Sequence, residues 1–439
     1  MKKILLMQAL LVALSYSYAE SVLVSGDETK ILSDTSIELV GKDGPGDVLT
    51  ITQGTEGQTA KLALTGNVNL TVVTGAGSNS SVGASQNAEN TGSAVIELTG
   101  SNNKLDFQGG AIWLGPNSQN SFYGDAQILI SGSNNTFMSG SFVIGRGNSG
   151  GSTLFSLTGS NNVFQHTGAF RHYLYFGRNG AETAGTNKAY LKGDGASADS
   201  RVYFYSADAL SFNGSKTNDV LNVFVMDGNA TFQKKDANSG ALGSMDVYMN
   251  AQGVELTTAY GKARFEVNGA GNDVDINTLA LGNSAQLAGS TSTFSVSGSG
   301  STIDVNTLKV VGGAEAGLSG GALEFKFTGD EISTINVASV GEFSGMLVLD
   351  FSALGAGDYN FNLISSSGDW SGIWEAFAWD SESQSGDRIS ILGANGDVDL
   401  SYADGVLSAA YTAVPEPAAF ALLFGALALG LVYFKRKSK

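Results

Sequence analysis

The feature that most constrains this 439-residue chain is a repeated unit of about thirty residues, marked by a glycine that follows a short alternating strand. Apolar residues stand two and four places before the glycine, as Ile96 and Leu98 do before Gly100. This period of two is typical of a strand with one buried face. The markers are Gly66, Gly100, Gly132, Gly159, Gly269, Gly298 and Gly329, with weaker ones at Gly193 and Gly228. A repeat of this length predicts stacked strand units.

Two further strands follow the marker in each unit. The second starts about five residues later, as at Leu105 and Phe137, and a third apolar stretch ends in glycine, as in Ile112–Gly115. Three short strands per unit predict a triangular coil. One coil buries about six apolar side chains worth ~2 kcal/mol each, whereas ordering about thirty residues costs ~30 to 60 kcal/mol. The coils are therefore expected to stack, because each needs its neighbours to shelter its apolar interior.

The sequence thus predicts an all-β fold, a parallel β-helix (β-solenoid) of about ten three-strand coils over residues 20–340. No ten-residue helical pattern recurs between the strands, which argues against an α/β fold. A β-sandwich or a propeller is the alternative architecture. Residues 341–412 lose the marker glycine and hold three of the four tryptophans. They are predicted to form a C-terminal β cap over the open end of the solenoid.

The corner after the first strand has a repeated sequence of its own. Gly-Ser-Asn-Asn occurs at 100–103, 132–135 and 159–162. Glycine and asparagine tolerate left-handed backbone angles better than other residues. We expect the asparagines of successive coils to stack at this corner and to hydrogen-bond in a ladder.

The N-terminus has the three parts of a secretory signal. Lys2 and Lys3 precede an apolar run at 4–14, and small residues follow up to Ala19. Residues 1–19 are therefore predicted to be a signal peptide cleaved between Ala19 and Glu20. A buried or membrane-spanning N-terminal helix is the alternative.

The C-terminus has the pattern of a single membrane anchor. Residues 418–434 carry no charge and are predicted to form a transmembrane helix. A basic cluster follows, formed by Lys435, Arg436, Lys437 and Lys439. This cluster stops transfer and places the C-terminus in the cytoplasm, so the body would be exported across the inner membrane and held there before reaching the cell surface. A buried soluble helix is the alternative.

Directly before the apolar segment stand Val414, Pro415, Glu416 and Pro417, which use two of the four prolines of the chain. Prolines on both sides of an acid keep the strip extended. The order of this strip, an apolar helix and a basic tail over residues 413–439 resembles the PEP-CTERM sorting signal of exported Gram-negative proteins. The resemblance implies that the chain is a substrate sorted by a membrane-bound processing enzyme of the exosortase type.

The repeated body is similar to the passenger regions of autotransporters and bacterial adhesins. That similarity implies a structural or adhesin-like protein of the cell surface or extracellular matrix, with extracellular polysaccharide as a candidate partner. The rival interpretation is a carbohydrate-active enzyme, a polysaccharide lyase or glycosidase, on the same scaffold. A groove with two acids and an Arg or Lys would favour the enzyme, whereas a polar flank without such a groove favours the structural role.

Composition and motifs give little support to catalysis. With 24 Lys and Arg against 41 Asp and Glu, the formal charge of −17 disfavours nucleic acid as a partner. The absence of cysteine excludes disulfides and thiolate sites. No acid is expected at matching positions in neighbouring coils. We therefore predict no enzyme activity, no cofactor and no metal site.

The two histidines and the nearby aromatic residues need a separate interpretation. His166 falls at the inward position that Phe107 takes in an earlier unit, so a core histidine is favoured over a metal ligand or base. His172 lies in the same run, which also carries Arg171 and Arg178. The alternative is a face that stacks on sugar rings, formed by these arginines with Tyr173, Tyr175, Tyr203 and Tyr205. The acidic segments 43–47 and 269–275 are interpreted as solvated turns rather than calcium loops.

Overall fold

The fold is known from a computed structural model of the chain. It describes residues 18–19, 22–40, 47–73, 79–84, 87–115, 122–145, 149–168, 173–177, 184–207, 209–212, 220–250, 261–284, 289–313 and 319–413. Strands make up 65% of the structure and helix 2%, so the all-β class is confirmed. The arrangement is a parallel β-solenoid of about nine turns, close to the ten predicted.

The strands follow one another with short connections. In chain order they are β1 (Tyr18–Ala19), β2 (Val22–Gly26), β3 (Thr29–Ser33), β4 (Ser36–Val40), β5 (Asp47–Gln53), β6 (Thr59–Thr65), β7 (Asn69–Val73), β8 (Asn79–Val82), β9 (Ser93–Thr99), β10 (Lys104–Leu114), β11 (Asp125–Ile130), β12 (Thr136–Ile144), β13 (Ser149–Gly159), β14 (Val163–His166), β15 (Tyr173–Phe176), β16 (Ala184–Gly193), β17 (Val202–Ser206), β18 (Ala209–Phe212), β19 (Val220–Asp227), β20 (Ala230–Lys235), β21 (Leu242–Gly243), β22 (Met245–Met249), β23 (Lys262–Asn268), β24 (Asp273–Leu281), β25 (Thr291–Ser297), β26 (Thr302–Val310), β27 (Gly320–Lys326), β28 (Ile335–Phe343), β29 (Met346–Asp350), β30 (Gly357–Ser366), β31 (Ile389–Leu392), β32 (Gly396–Ala403) and β33 (Val406–Ala413). A 3-10 turn spans Ala198–Ser200, and the helix α1 spans Ser371–Glu375.

Two sheets divide the sides of the solenoid. The marker strands form a twelve-stranded, entirely parallel sheet in the order β3-β6-β9-β11-β13-β16-β19-β23-β25-β27-β29-β31, which we call the first sheet. The other two sides belong to a single 21-stranded sheet, the second sheet. In several coils the second and third strands merge into one long bent strand, as in β10 and β12. The triangular coil is therefore present, but two of its sides are continuous.

The marker glycines lie above one another, with one exception. Ile96 pairs with Ile128, and Ile128 with Phe155, so Gly100, Gly132 and Gly159 share one corner. The same register carries the column through Gly193, Gly228 and Gly269 to Gly298. The marker at Gly329 is wrong, because Val296 pairs with Phe325 and the position level with Gly298 is taken by Phe327. Phe327 is buried and packs on Phe351 with ring centroids 4.4 Å apart.

The interior is a continuous column of side chains shared by adjacent coils. In the second sheet Phe137, Phe164, Phe204 and Phe232 occupy successive register positions and are fully buried. Their ring centroids are 5.4, 4.7 and 5.7 Å apart from one coil to the next. A phenylalanine column from the first sheet faces them across the core, with Phe224 and Phe265 4.7 Å apart. This packing shows why a single coil needs its neighbours.

The expected asparagine ladder is present at the marker corner. Asn103, Asn135 and Asn162 are almost completely buried, at 1%, 0% and 0% exposure. The backbone N–H of Asn103 donates to Oδ1 of Asn135 at 2.9 Å, and the N–H of Asn135 donates to Oδ1 of Asn162 at 2.7 Å. The ladder thus satisfies backbone groups that the turn would leave buried and unpaired.

The two ends of the solenoid differ. At the C-terminal end β33 runs antiparallel to both β30 and β32, and α1 with the aromatic side chains around it packs nearby. β29 still continues the parallel first sheet and pairs with β27 and β31. Of the predicted signal peptide the structure describes only β1, whose backbone pairs with Glu38 and Leu39. Among the described residues, neither helical segment is long and apolar enough to cross a membrane.

The asparagine ladder is tested by replacing Asn135 with alanine. Asn135→Ala removes the acceptor of Asn103 and two donated bonds to the carbonyls of Gly100 and Ser131. The Gly100 carbonyl keeps its bond from the N–H of Ser133, but the buried N–H of Asn103 is left without its acceptor. The loss is expected to lower the free energy of unfolding by about 2 kcal/mol. Urea denaturation of the full chain, followed by circular dichroism, measures the change.

The matched control is the neighbouring Asn134, which has a left-handed backbone and an exposed side chain. Asn134→Gly keeps that conformation accessible and removes only a solvent-exposed bond that Asn134 accepts from the side chain of Asn161, so it is expected to cost less than about 0.5 kcal/mol. Equal losses in the two variants would contradict the role given to the buried ladder.

Candidate functional site on the outer faces of the solenoid

The residues predicted for export and sorting lie almost entirely outside the described residues. The structure ends at Ala413, so Val414, Pro415, Glu416, Pro417 and the basic cluster Lys435, Arg436, Lys437 and Lys439 are not described. At the predicted signal cleavage site only the backbone of Ala19 is described, and Glu20 is not. The predictions at both termini therefore stay predictions.

His166 is an interior residue, as expected. It is level with Ser139 and Ser206 in adjacent coils, at the inward position that Phe107 takes earlier. Its side chain is fully buried, and its Nδ1 lies 2.9 Å from Oγ of Ser206. A histidine sealed inside the core has no access to a substrate, which favours a structural role. His172, Arg171 and Arg178 lie outside the described residues.

The tyrosines of the predicted sugar-stacking face that lie on β17 pack against other side chains and do not present open ring faces. Tyr203 and Tyr205 project outward from β17 with ring centroids 5.7 Å apart and nearly parallel planes. Nζ of Lys235 lies 4.8 Å from the centroid of Tyr205, whose side chain is only 9% exposed. Burial, together with the nearby Tyr203 and Asp273, raises the pKa of the Tyr205 phenol to about 12. The ring faces are thus largely used in packing against each other and against lysine.

A second apolar group on the outside includes Tyr175 from the sugar-stacking alternative but is otherwise not predicted from the sequence. Trp113, Val143 and Tyr175 project outward from the second sheet at successive register positions and are between 0% and 4% exposed. They form an apolar cluster separate from the core, with Ala111 and the partly buried Tyr248. The sequence signal was available, because Ile112–Leu114 is a triplet without alternation. Such triplets indicate a strand covered on both faces.

The expectation that no acid recurs in neighbouring coils is wrong. Asp275 pairs directly with Asp304, and Asp273 precedes them on the same outward face of the second sheet. Burial raises the pKa of the Asp273 carboxyl; Arg201 lowers it, and the charges of Asp275 and Asp304 raise it further. The alignment on Gly269 and Gly298 already places the two acids level, so the pair could be found from the sequence. Three carboxylates with an arginine nearby are an arrangement that an acid-base enzyme could use.

Elsewhere the outer faces hold ion pairs that span coils. Nη2 of Arg264 lies 2.6 Å from Oε2 of Glu324 and Nε lies 2.8 Å from Oε1 of Glu266. Lys326 adds a 3.4 Å contact with Glu324, whose side chain is 11% exposed. Burial by itself raises the pKa of the Glu324 carboxyl, but the attraction of Arg264, aided by Lys326, outweighs it and leaves the pKa below its ordinary value. This network connects β23 to β27 across the intervening strand.

A shallow depression of about 330 Å³ lies at the marker corner near the C-terminal end. Its polar lining includes Asp330, Glu331, Asn360 and Asn362. No arginine or lysine is among its lining residues. It therefore lacks the combination of acids and a cation that a polysaccharide lyase would need. Among the described residues, no three His, Cys, Asp or Glu side chains are grouped so that they could hold a metal ion.

Comparison with known proteins adds no identification. No protein-family model, curated protein or solved structure matches this chain. The outer faces must therefore be interpreted from their own chemistry.

The Arg264 network predicts an acid-sensitive contribution to stability. Because the pKa of Glu324 is lower in the folded chain than in the unfolded chain, its contribution is fully present above the unfolded pKa and is lost as the pH falls through the folded pKa. We expect the denaturation midpoint of the wild type to fall more steeply below about pH 5 than that of Glu324→Gln.

Urea titrations at a series of pH values between 7 and 3 measure this difference. Asp350→Asn, which changes an acid on the neighbouring strand β29 at the position level with Lys326, is the control for general charge effects. Parallel pH profiles for wild type and Glu324→Gln would show that the network makes no such contribution.

Proposed function

We propose that this protein is an exported structural or adhesin-like protein of the cell surface or extracellular matrix, sorted through its C-terminal PEP-CTERM-like signal. The single observation that carries the proposal is the organisation of the solenoid. Its interior is filled by side chains from all sides, and its outer faces are held together by ladders and ion pairs between coils. A rod of this kind can serve as a spacer or a scaffold without any active site.

The position of the cap relative to the sorting segment supports this function. β33 ends at Ala413, immediately before Val414, and is held by antiparallel pairing with both β30 and β32. A chain that leaves the rod at its covered end can pass into a membrane segment without opening the solenoid. With about nine turns and a rise of about 4.8 Å per turn, the rod is about 40 Å long.

The proposed partners follow from the same arrangement. The strip 414–417 is the segment that an exosortase-type enzyme would recognise, and the inner membrane would hold the apolar segment at 418–434 beforehand. Extracellular polysaccharide is the proposed contact of the mature rod, whose surface is polar and acidic. Nucleic acid is not proposed, since acidic residues outnumber basic ones by 41 to 24.

Sorting is tested by replacing Pro415, Glu416 and Pro417 with alanine in the native host. The extended strip would be lost, so we expect the full-length protein to accumulate in the membrane fraction. Immunoblots of membrane and extracellular fractions, with a tag inserted in the body, measure the change in mass and location. Pro116→Ala is the control for loss of a proline elsewhere, and unchanged processing of the triple variant would reject the sorting role.

One specific observation, the pair of Asp275 and Asp304, favours a second candidate function, that of a carbohydrate-active enzyme. Asp275 and Asp304 stand level on adjacent coils, with Asp273 and Arg201 close by. Pairs of carboxylates are the groups that glycosidases use. The structural role is favoured because these acids lie on the outward face of a sheet and not in a groove with an identified base.

This alternative is tested by incubating the full chain with uronic-acid polymers. Formation of unsaturated products or new reducing ends would be measured, and the structural role predicts no turnover. Turnover that is lost in Asp275→Asn and Asp304→Asn but kept in Asp350→Asn would overturn the structural role and assign the reaction to the acid pair.

A further inference from the structure

The second sheet is interrupted where β20 meets β24. Only two residue pairs join these strands, Thr231 with Asp273 and Phe232 with Val274. β20 then leaves the sheet, because its last two residues pair antiparallel with β21, and β22 takes up the pairing with β24 in an irregular register. On its other side β24 pairs with β26 through eight residues. The free energy needed to separate β20 from β24 locally is therefore small.

A row of aspartates lies at this interruption, on the outward face of the sheet. Val274 and Ile276 point inward and are fully buried, so Asp273 and Asp275 project outward. Asp275 is level with Asp304 of β26. Level residues of adjacent strands lie about 4.8 Å apart, and like charges at such positions oppose the pairing of the strands. We call Asp273, Asp275 and Asp304 the acid row.

The cations closest to the acid row are bound to other groups. Arg201 lies directly before β17, and its Nε donates to Oγ1 of Thr231 at 3.2 Å while its Nη2 donates to the carbonyl oxygen of Ala230 at 3.4 Å. Nζ of Lys235 lies over the ring of Tyr205. Within the described part of the chain, none of the ion pairs includes a member of the acid row. The charges of the row are thus left unneutralised.

The strands packed around Asp273 carry the other groups that set its charge. The titratable and charged side chains on these strands are Tyr203 and Tyr205 on β17, Lys234 and Lys235 on β20, Asp246 on β22, Asp275 on β24, and Asp304 and Lys309 on β26, with Arg201 before β17. Burial raises the pKa of the Asp273 carboxyl most; Arg201 lowers it, and the charges of Asp275 and Asp304 raise it further.

The direction of this shift decides how pH acts on the strands. Because the pKa of Asp273 is higher in the folded chain than in the unfolded chain, folding favours its protonated form. The resulting stabilisation is fully present below the unfolded pKa and is lost as the pH rises through the folded pKa. This dependence is opposite to that of Glu324.

We propose that the acid row is a pH-sensitive joint in the rod, at which β20 and β24 hold together in acid and separate more readily at neutral pH. When the row is ionised, the two residue pairs between β20 and β24 must hold against the repulsion of like charges. The coils themselves stay stacked, because β19 and β23 of the first sheet pair through seven residues. The joint therefore opens on one side of the rod only.

The test is hydrogen–deuterium exchange of the full chain, read by mass spectrometry at about pH 4 and about pH 7 and corrected for the intrinsic rate at each pH. We expect the protection of β20 and β24 to be at least about twofold greater at the lower pH, relative to β11 and β13, which lie far from the row. Asp273→Asn keeps the size of the side chain without its charge. It is expected to show, at the higher pH, the protection that the wild type has only in acid.

The control is Asp358→Asn, which changes an exposed acid on β30 of the same sheet and is expected to keep the wild-type pH dependence. The proposal is overturned if Asp273→Asn has the wild-type protection at both pH values, or if Asp358→Asn removes the pH dependence equally. Circular dichroism of each variant checks that the strands remain. The result is independent of sorting, because the acid row lies outside the C-terminal segment.

Discussion

The structure depends on the register between successive coils. In a parallel stack each strand can satisfy its backbone groups only through the coils above and below, and a slip of one residue would turn every inward side chain outward. The marker corner fixes this register twice. A glycine or asparagine adopts the left-handed backbone conformation at the turn. The side-chain oxygen of the following asparagine accepts a hydrogen bond from a backbone N–H of the adjacent coil, as Oδ1 of Asn135 does from Asn103. This register also sets the core packing, because it places the phenylalanines of successive coils level with one another.

Because the corner sets the register and the core packing follows from it, a degenerate repeat can keep a constant core. Successive markers are separated by 27 residues between Gly132 and Gly159 but by 41 between Gly228 and Gly269. The strands on either side still pair in register, and the additional residues of the longer unit include the β20–β21 hairpin on the outside. Differences in the length of the repeat unit are thus located in outer connections, where extra residues cost little loop-closure entropy. The corner and the inward positions stay constant.

The sequence predicts the inward positions well, since period-two alternation and the marker glycine both report on burial. His166 was placed correctly for this reason, and so was the ladder of Asn103, Asn135 and Asn162. The error at Gly329 has a physical cause. The alternating apolar residues of this coil continue to Phe327, which is level with Gly298 and fills the interior, so Gly329 lies two residues beyond the marker position. Outward contacts such as Arg264 with Glu324 depend on side chains two coils apart, and no local pattern reports them.

The contrast between the two ends bears on how such a rod would work if it is exported as proposed. At the C-terminal end β33 pairs antiparallel with β30 and β32, and it lies next to the proposed tether. With the C-terminal end at the proposed tether, the N-terminal end would point away from the membrane. A parallel stack has no intrinsic limit to its growth, so a free end must be blocked by its own side chains.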